Sequence, residues 1–246
     1  MKFLFFGFSV TAGKNSFAYE IQKILENESE VDVVDVCGLG GIHPDYASFL
    51  LNSILNKQEY NFVFLDLFTS SYRTPNRSRD DYFWPIWYMV ELCIRRGVTP
   101  ILMSLFRKDV DYTKDCFSAS GKYIASTLNL PFVDPASLIF SSKLDVGEMF
   151  SDVVHPTEKG TEYYVEKILP VVRNCINGLL LLSENKTFLF PEASLFDLEI
   201  SSLGAIATGP PSQLDEIGLF ERTGFRVSFL KIDANARWVV KLQKPT

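Results

Sequence analysis

Short apolar runs alternate with longer stretches of helical periodicity through the first two thirds of the chain. The runs fall at residues 2–6, 31–36, 62–67, 100–105 and 131–133. Runs this apolar belong to strands covered on both faces, and their interleaving with helices predicts parallel pairing. Between the first two, Phe17, Ile21, Ile24 and Leu25 recur at i, i+4, i+7 and i+8 behind Asn15-Ser16, giving one apolar helix face behind a cap. Further helical patterns cover residues 44–56, 80–96 and 112–129. Beyond His155, the residues Tyr164, Val165, Ile168 and Leu169 keep the spacing as far as Pro170, which either kinks that helix or opens a new one. Right-handed crossovers fold such units into an α/β protein, a three-layer α/β/α sandwich around a five-stranded, mainly parallel sheet.

From about residue 185 the texture changes to candidate strands at 186–190, 195–200, 226–232 and 237–243, separated by Gly-Pro-Pro and Asn-rich punctuation. The pattern predicts two domains, an α/β domain over 1–182 and a small β-rich C-terminal module over 183–246. A module of roughly 60 residues needs a surface to pack on, either the first domain or a second copy of the chain, so a homo-oligomer is one expectation.

Composition narrows the class. Of 246 residues 47% are hydrophobic and 14% aromatic, with 21 phenylalanines, while 22% are charged, which fits a folded domain rather than a disordered one. A net charge of -6 without a basic stripe argues against nucleic acid as partner. Cys37, Cys93, Cys116 and Cys175 form no C-x-x-C pair and read as small buried hydrophobes of a reducing, cytoplasmic protein, although an exported protein could pair them. The apolar start from Phe3 to Val10 loosely imitates a signal peptide, but it is short, has a single preceding Lys2, and leads straight into a helical pattern. No apolar run approaches the roughly 20 residues that span a bilayer.

The candidate chemistry gathers at one sheet edge. Ligands of open α/β sheets sit at the carboxyl ends of the strands, and the unusual residues follow strands one, two, three and five. They are Ser9, the Gly38-Leu-Gly40-Gly41 turn, Thr69-Ser70-Ser71, and the segment from Asp152 to His155. Only His43 and His155 can serve as an imidazole base, and His155 stands three residues after an Asp. His43-Pro44-Asp45 reads as a helix-start loop. Two histidines leave little for a catalytic zinc, so no metal and no cofactor is expected. Taken singly, Ser9 also fits a helix cap, the Asp152 and His155 pair a loop brace, and the glycine turn a device for positive backbone angles.

Two segments, Gly7-Phe-Ser9-Val-Thr11-Ala-Gly13 and Asp152-Val-Val-His155-Pro156 with Gly160 after it, make residues 1–175 resemble the SGNH hydrolases of the GDSL lipase/esterase superfamily. The resemblance implies the SGNH/flavodoxin-like sandwich, Ser9 as nucleophile, His155 as general base and acid, and Asp152 as the group that holds the imidazole. It also implies an oxyanion hole from the backbone of Ser9 and from Gly40, with Gly41 as an alternative register. Two departures stand out. Phe8 replaces the first-block Asp, mainly a brace in the family, and the third-block Gly-x-Asn-Asp gives way to Phe68-Thr69-Ser70-Ser71. The missing Asn normally donates to the oxyanion, a contribution worth about 10²–10³ in turnover; Ser70 or Thr69 could supply part of it.

The function expected from this resemblance is a serine-dependent acyl ester hydrolase acting on a carbohydrate or small-molecule ester, with removal of a short acyl group such as acetyl. The same acyl-enzyme could instead pass its acyl group to a glycan hydroxyl, and a chain with two altered blocks could be an inactive glycan-binding or scaffold protein. Arg73, Arg77 and Trp84, after strand three, are the candidate substrate contacts, guanidinium groups for an anion and a ring for a sugar face. A solvated loop leading into a buried helix explains them as well.

Overall fold

The computed structural model describes residues 1–41, 44–70, 79–142, 144–180, 216–222 and 225–231. The chain divides into two compact units, Met1–Phe188 and Leu189–Thr246. In the first, β1 (Lys2–Gly7), β2 (Val33–Gly38), β3 (Phe62–Asp66), β4 (Thr99–Met103) and β5 (Phe132–Val133) form one parallel sheet in the order β2-β1-β3-β4-β5. The chain moves outward from β1 to β2 and then returns across β1 to β3. Its topological switch point therefore lies between the carboxyl ends of β1 and β3, where ligands of such sheets bind.

The apolar runs become strands because both faces are covered. Phe3, Leu4, Phe5 and Phe6 are all fully buried. Register sets Phe3 beside Phe62 and Phe5 beside Phe64 on one face, with ring centroids stacked 5.4 and 4.8 Å apart. Phe17, Ile21 and Leu25 of α2 (Phe17–Leu25) and Tyr164 and Ile168 of α8 (Glu158–Ile176) join these rings in one cluster. Phe5 meets the Phe17 edge at 6.1 Å, and Phe17 meets Tyr164 at 5.9 Å, the edge-on geometries that aromatic quadrupoles favour. The remaining helices of the unit are α1 (Ser9–Ala12), α3 (Pro44–Leu55), α4 (Arg79–Arg95), α5 (Cys116–Leu128), α6 (Pro135–Ser141) and α7 (Val146–Met149).

Several sequence expectations shift at their edges. Ser16 caps α2 through a bond from the Tyr19 N–H, but Ile24, expected on its apolar face, is 39% exposed. The helix expected over 112–129 begins at Cys116, because the Asp115 carboxylate accepts the Ser118 N–H and sets the first turn there. It ends on Asn129 in the left-handed conformation at φ 52°. Pro170 does not break α8: it lies on the exposed side, where the carbonyl that loses its partner can be hydrated.

In the second unit β6 (Glu216–Arg222) and β7 (Phe225–Lys231) form an antiparallel hairpin with Leu219 opposite Ser228. β7 coincides with the strand expected at 226–232. β6 is not legible as a strand in the sequence, because its charged ends and the central Gly218 hide the pattern. The strands expected at 186–190, 195–200 and 237–243 lie outside the described residues. Among the described residues, no helix is long and apolar enough to cross a membrane.

Candidate active site

Ser9 follows β1 by one residue and is the first residue of α1, a single short turn too brief to show a periodicity of its own ahead of α2. The Thr11 and Ala12 N–H groups both close onto the Phe8 carbonyl, and the Gly13 N–H onto Ser9. This tight turn lifts Ser9, half-buried, over the carboxyl end of the sheet. Gly38 makes room for it. A Cβ there would stand 2.3 Å from the Ala12 nitrogen and 2.5 Å from its Cα, so β2 can approach α1 only without a side chain. The Leu39 N–H then donates to the Gly7 carbonyl at 3.0 Å, which holds the turn carrying Gly40 against the end of β1. In that turn Gly41 adopts φ 74°.

His155 reaches Ser9 from the far end of the domain. The loop before α8 is pinched shut by a bridge between Phe150 and Pro156, by the Thr157 N–H on Met149 and by the Ser151 N–H on His155, both at 2.9 Å. Gly160 permits this closure, since a Cβ would fall 2.1 Å from the Met149 carbonyl oxygen. Within the loop Asp152 Oδ1 accepts the N–H groups of Val154 at 2.8 Å and His155 at 2.7 Å, while Oδ2 faces His155 Nδ1 at 2.6 Å. His155 Nε2 lies 2.9 Å from Ser9 Oγ. Three side chains, two of them 146 positions from Ser9 or nearly so, thus form one hydrogen-bonded line, with Nδ1 donating to the carboxylate and Nε2 accepting from the hydroxyl.

Electrostatics sharpens the roles. Partial desolvation pushes the Asp152 carboxyl up, but the His155 and Val154 N–H groups and the imidazole outweigh it and hold the group at about 2. It is therefore a carboxylate throughout the neutral range. The Asp152 and His155 side chains are 55% and 44% exposed, so the pair is open to solvent on one side.

The strand-three segment departs from expectation in an informative way. Asp66, fully buried at the end of β3, takes the Phe68 and Thr69 N–H groups on Oδ1, both at 3.3 Å. Its Oδ2 accepts the Thr69 hydroxyl at 2.6 Å, with the Thr11 hydroxyl 3.5 Å away. The Thr69 proton is committed to Asp66, which corrects the idea that Thr69 could replace the absent Asn as a hydroxyl donor. Ser70 follows, buried, with its carbonyl accepting from Arg107 at 3.0 Å. Sequence reasoning misses both Asp66 and Arg107. The available signal is a charge at the end of an otherwise apolar run, in Phe-Val-Phe-Leu-Asp66 and Ser-Leu-Phe-Arg107. Arg73, Arg77 and His43 lie outside the described residues. Trp84 is carried by α4, and its side chain lies outside them as well. Among the described residues no group of three or more His, Cys, Asp or Glu is arranged to hold a metal.

No family model matches the sequence, and no curated protein does. Solved structures do. An esterase EstA from Pseudoalteromonas sp., solved inhibited by monoethylphosphonate, superposes with TM-score 0.60 at 15% identity over 72% of this chain and 98% of its own. A lipolytic protein of the G-D-S-L family from Veillonella parvula gives 0.57 at 17% over 70% and 98%. The acetyl xylan esterase AlAXEase gives 0.58 at 17% over 70% and 100%. The fold is that of the SGNH, or GDSL, hydrolases. These neighbours are matched over nearly their whole length by 70–72% of this chain.

Proposed function

We propose that the protein is a serine-dependent acyl ester hydrolase that removes a short acyl group, such as acetyl, from a carbohydrate or other small molecule. The observation that carries this reading is the unbroken line from Ser9 Oγ to His155 Nε2 at 2.9 Å and from His155 Nδ1 to Asp152 Oδ2 at 2.6 Å. In the first step Ser9 Oγ attacks the ester carbonyl carbon while its proton passes to Nε2. The Asp152 carboxylate stabilises the imidazolium. Collapse of the tetrahedral intermediate breaks the bond to the leaving alcohol, which takes the proton from Nε2 and departs, leaving an acyl ester on Ser9. Water then attacks that ester, gives its proton to Nε2, and the free acid leaves as Ser9 is reprotonated. The Ser9 and Gly40 backbone N–H groups, with Ser70, are the donors we assign to the oxyanion.

The acetyl and carbohydrate preference draws on the acetyl xylan esterase among the structural neighbours. Four free thiols, three of them buried, fit a reducing compartment, and we place the protein in the cytoplasm. The test is hydrolysis of an aryl acetate by the wild type, Ser9→Ala and His155→Ala, with a fluorophosphonate probe that should label Ser9 and no other serine. A wild type no more active than the variants refutes the hydrolase. Adding acetyl-CoA and a panel of sugars to the same assay separates water from an alcohol as the final acceptor, because both compete for one acyl-enzyme.

A further inference from the structure

The strand-three turn lacks the family's glycine and its Asn, yet it is held from both sides. From below, the buried Asp66 carboxylate gathers its N–H groups, those of Phe68 and Thr69. From the other side Arg107, its side chain 7% exposed, gathers its carbonyls: one guanidinium nitrogen, Nη1, donates to the oxygens of Thr69 at 3.1 Å and Ser70 at 3.0 Å. The rest of that guanidinium is fixed by a two-point contact with Asp109, Nε to Oδ1 at 2.9 Å and Nη2 to Oδ2 at 2.7 Å. A planar fork held on one side by a carboxylate has no freedom left to follow the turn if the turn moves.

The same segment after β4 also reaches the other half of the site. The Lys108 N–H donates to the Val153 carbonyl at 2.8 Å and its ammonium to the Phe150 carbonyl at 2.9 Å, both in the loop that presents Asp152 and His155. The Phe106 N–H is anchored on the Tyr164 hydroxyl oxygen at 2.9 Å, and the Arg107 N–H on that of Tyr112 at 2.7 Å. One short stretch of chain therefore spaces the strand-three turn against the histidine loop.

We infer that Arg107 is a positioning residue for ester hydrolysis: by pinning the Thr69 and Ser70 carbonyls it fixes the turn so that Ser70 stands as a preorganised oxyanion donor where the family's Asn is absent. Holding the carbonyls of Thr69 and Ser70 fixes the backbone on both sides of the Ser70 Cα, and with it the point from which the Ser70 hydroxyl, the group that Ser70→Ala removes, is presented. Donors of this kind act because they need no reorganisation when charge develops, and a turn free to tilt would lose that advantage before it lost its fold. The inference rests on the hydrolase reading above.

The experiment is a double-mutant cycle on full-length protein, using Ser70→Ala, Arg107→Ala and the pair, with kcat and KM measured separately on an aryl acetate. Arg107→Ala should lower kcat by about 10–100-fold with KM changed less than about threefold, because the lost interaction belongs to the transition state. Ser70→Ala should fall in the same range, and the pair should be no worse than the weaker single variant by more than about threefold, since both remove one effect. Guanidinium ion added to Arg107→Ala should recover part of kcat, and Arg107→Lys, with no fork, should not match the wild type. Asp109→Asn, which leaves Arg107 in place but loosens it, should cost about 3–10-fold in kcat and keeps the test open if Arg107→Ala does not fold. An active wild type with kcat undiminished in Arg107→Ala or Asp109→Asn, or with losses that multiply in the pair, overturns this inference alone. A wild type with no turnover overturns it together with the hydrolase reading.

Discussion

Asp152→Asn isolates what the carboxylate does, because the structure dictates how the amide must sit. Asp152 Oδ1 already accepts two backbone N–H groups, from Val154 and His155, and these groups can only donate. The Asn oxygen must take their place, which turns the NH₂ toward His155 Nδ1. That nitrogen is then obliged to accept, the ring proton moves to Nε2, and Nε2 loses the lone pair with which it meets Ser9 Oγ 2.9 Å away. The imidazolium of the proposed transition state also loses its partner charge. In a buried triad the same change costs about 10⁴ in kcat. In this protein the two side chains are 55% and 44% exposed, so solvent screens the pair and eases exchange of the tautomer. We therefore expect a fall of about 10²–10³, or roughly 2.7–4.1 kcal/mol in barrier. The assay is kcat for para-nitrophenyl acetate at neutral pH, with circular dichroism confirming the fold. A fall of less than about threefold would show that Asp152 only shapes the loop, and the triad mechanism would be wrong.

Two further outcomes follow from the same contacts. Tyr164 is fully buried and its hydroxyl oxygen is the acceptor for the Phe106 N–H, so Tyr164→Phe should cost about 1–3 kcal/mol through an unsatisfied buried donor. Differential scanning calorimetry should record a Tm lowered by roughly 2–4 °C per kcal/mol, and an unchanged Tm would contradict the assignment. The Asp152 carboxyl is held at about 2 in the folded chain against 3.8 ordinarily, so it contributes stability above pH 4 that disappears as pH falls from there toward 2. Urea midpoints of wild type and Asp152→Asn should thus differ at pH 5 and converge as pH falls from 4 toward 2; a gap that widens across that acid range would reverse the sign and refute the shift.

The sandwich was legible because its strands are buried on both faces and leave apolar runs too marked to mistake, as Lys2–Gly7 and Phe62–Asp66 do. Their register was not legible: nothing in the order of residues says that Phe5 stacks on Phe64, which follows from strand pairing. In the site, Ser9, Asp152 and His155 could be picked out because each sits in a short local signature. Asp66 and Arg107 could not, because their work is to satisfy backbone groups of a turn 38 or fewer positions away, and such partners leave no spacing rule. Charges standing at the ends of apolar runs in the sequence are the trace they leave, since a buried charge survives only where several hydrogen bonds meet it.

The Asp that GDSL-type sequences carry where this chain has Phe8 gives the sharpest contrast between a motif and the physics beneath it. Introducing it as Phe8→Asp would make the segment Gly7-Asp-Ser9, the GDSL pattern. Phe8, however, is 2% exposed and caps α1 by its backbone alone, with no side-chain hydrogen bond to the turn. The replacement would remove a buried ring, worth about 3–5 kcal/mol by comparison with truncation of a core Phe. It would also bring a carboxylate into a buried position while the brace beneath the strand-three turn is already provided by Asp66. Phe8→Asp should therefore express poorly or melt roughly 10 °C lower, by the usual 2–4 °C per kcal/mol, and lose activity in proportion to the folded fraction. Equal or greater stability and turnover in Phe8→Asp would mean that the pocket around residue 8 still fits the family's brace, and that Asp66 supplements it rather than standing in its place.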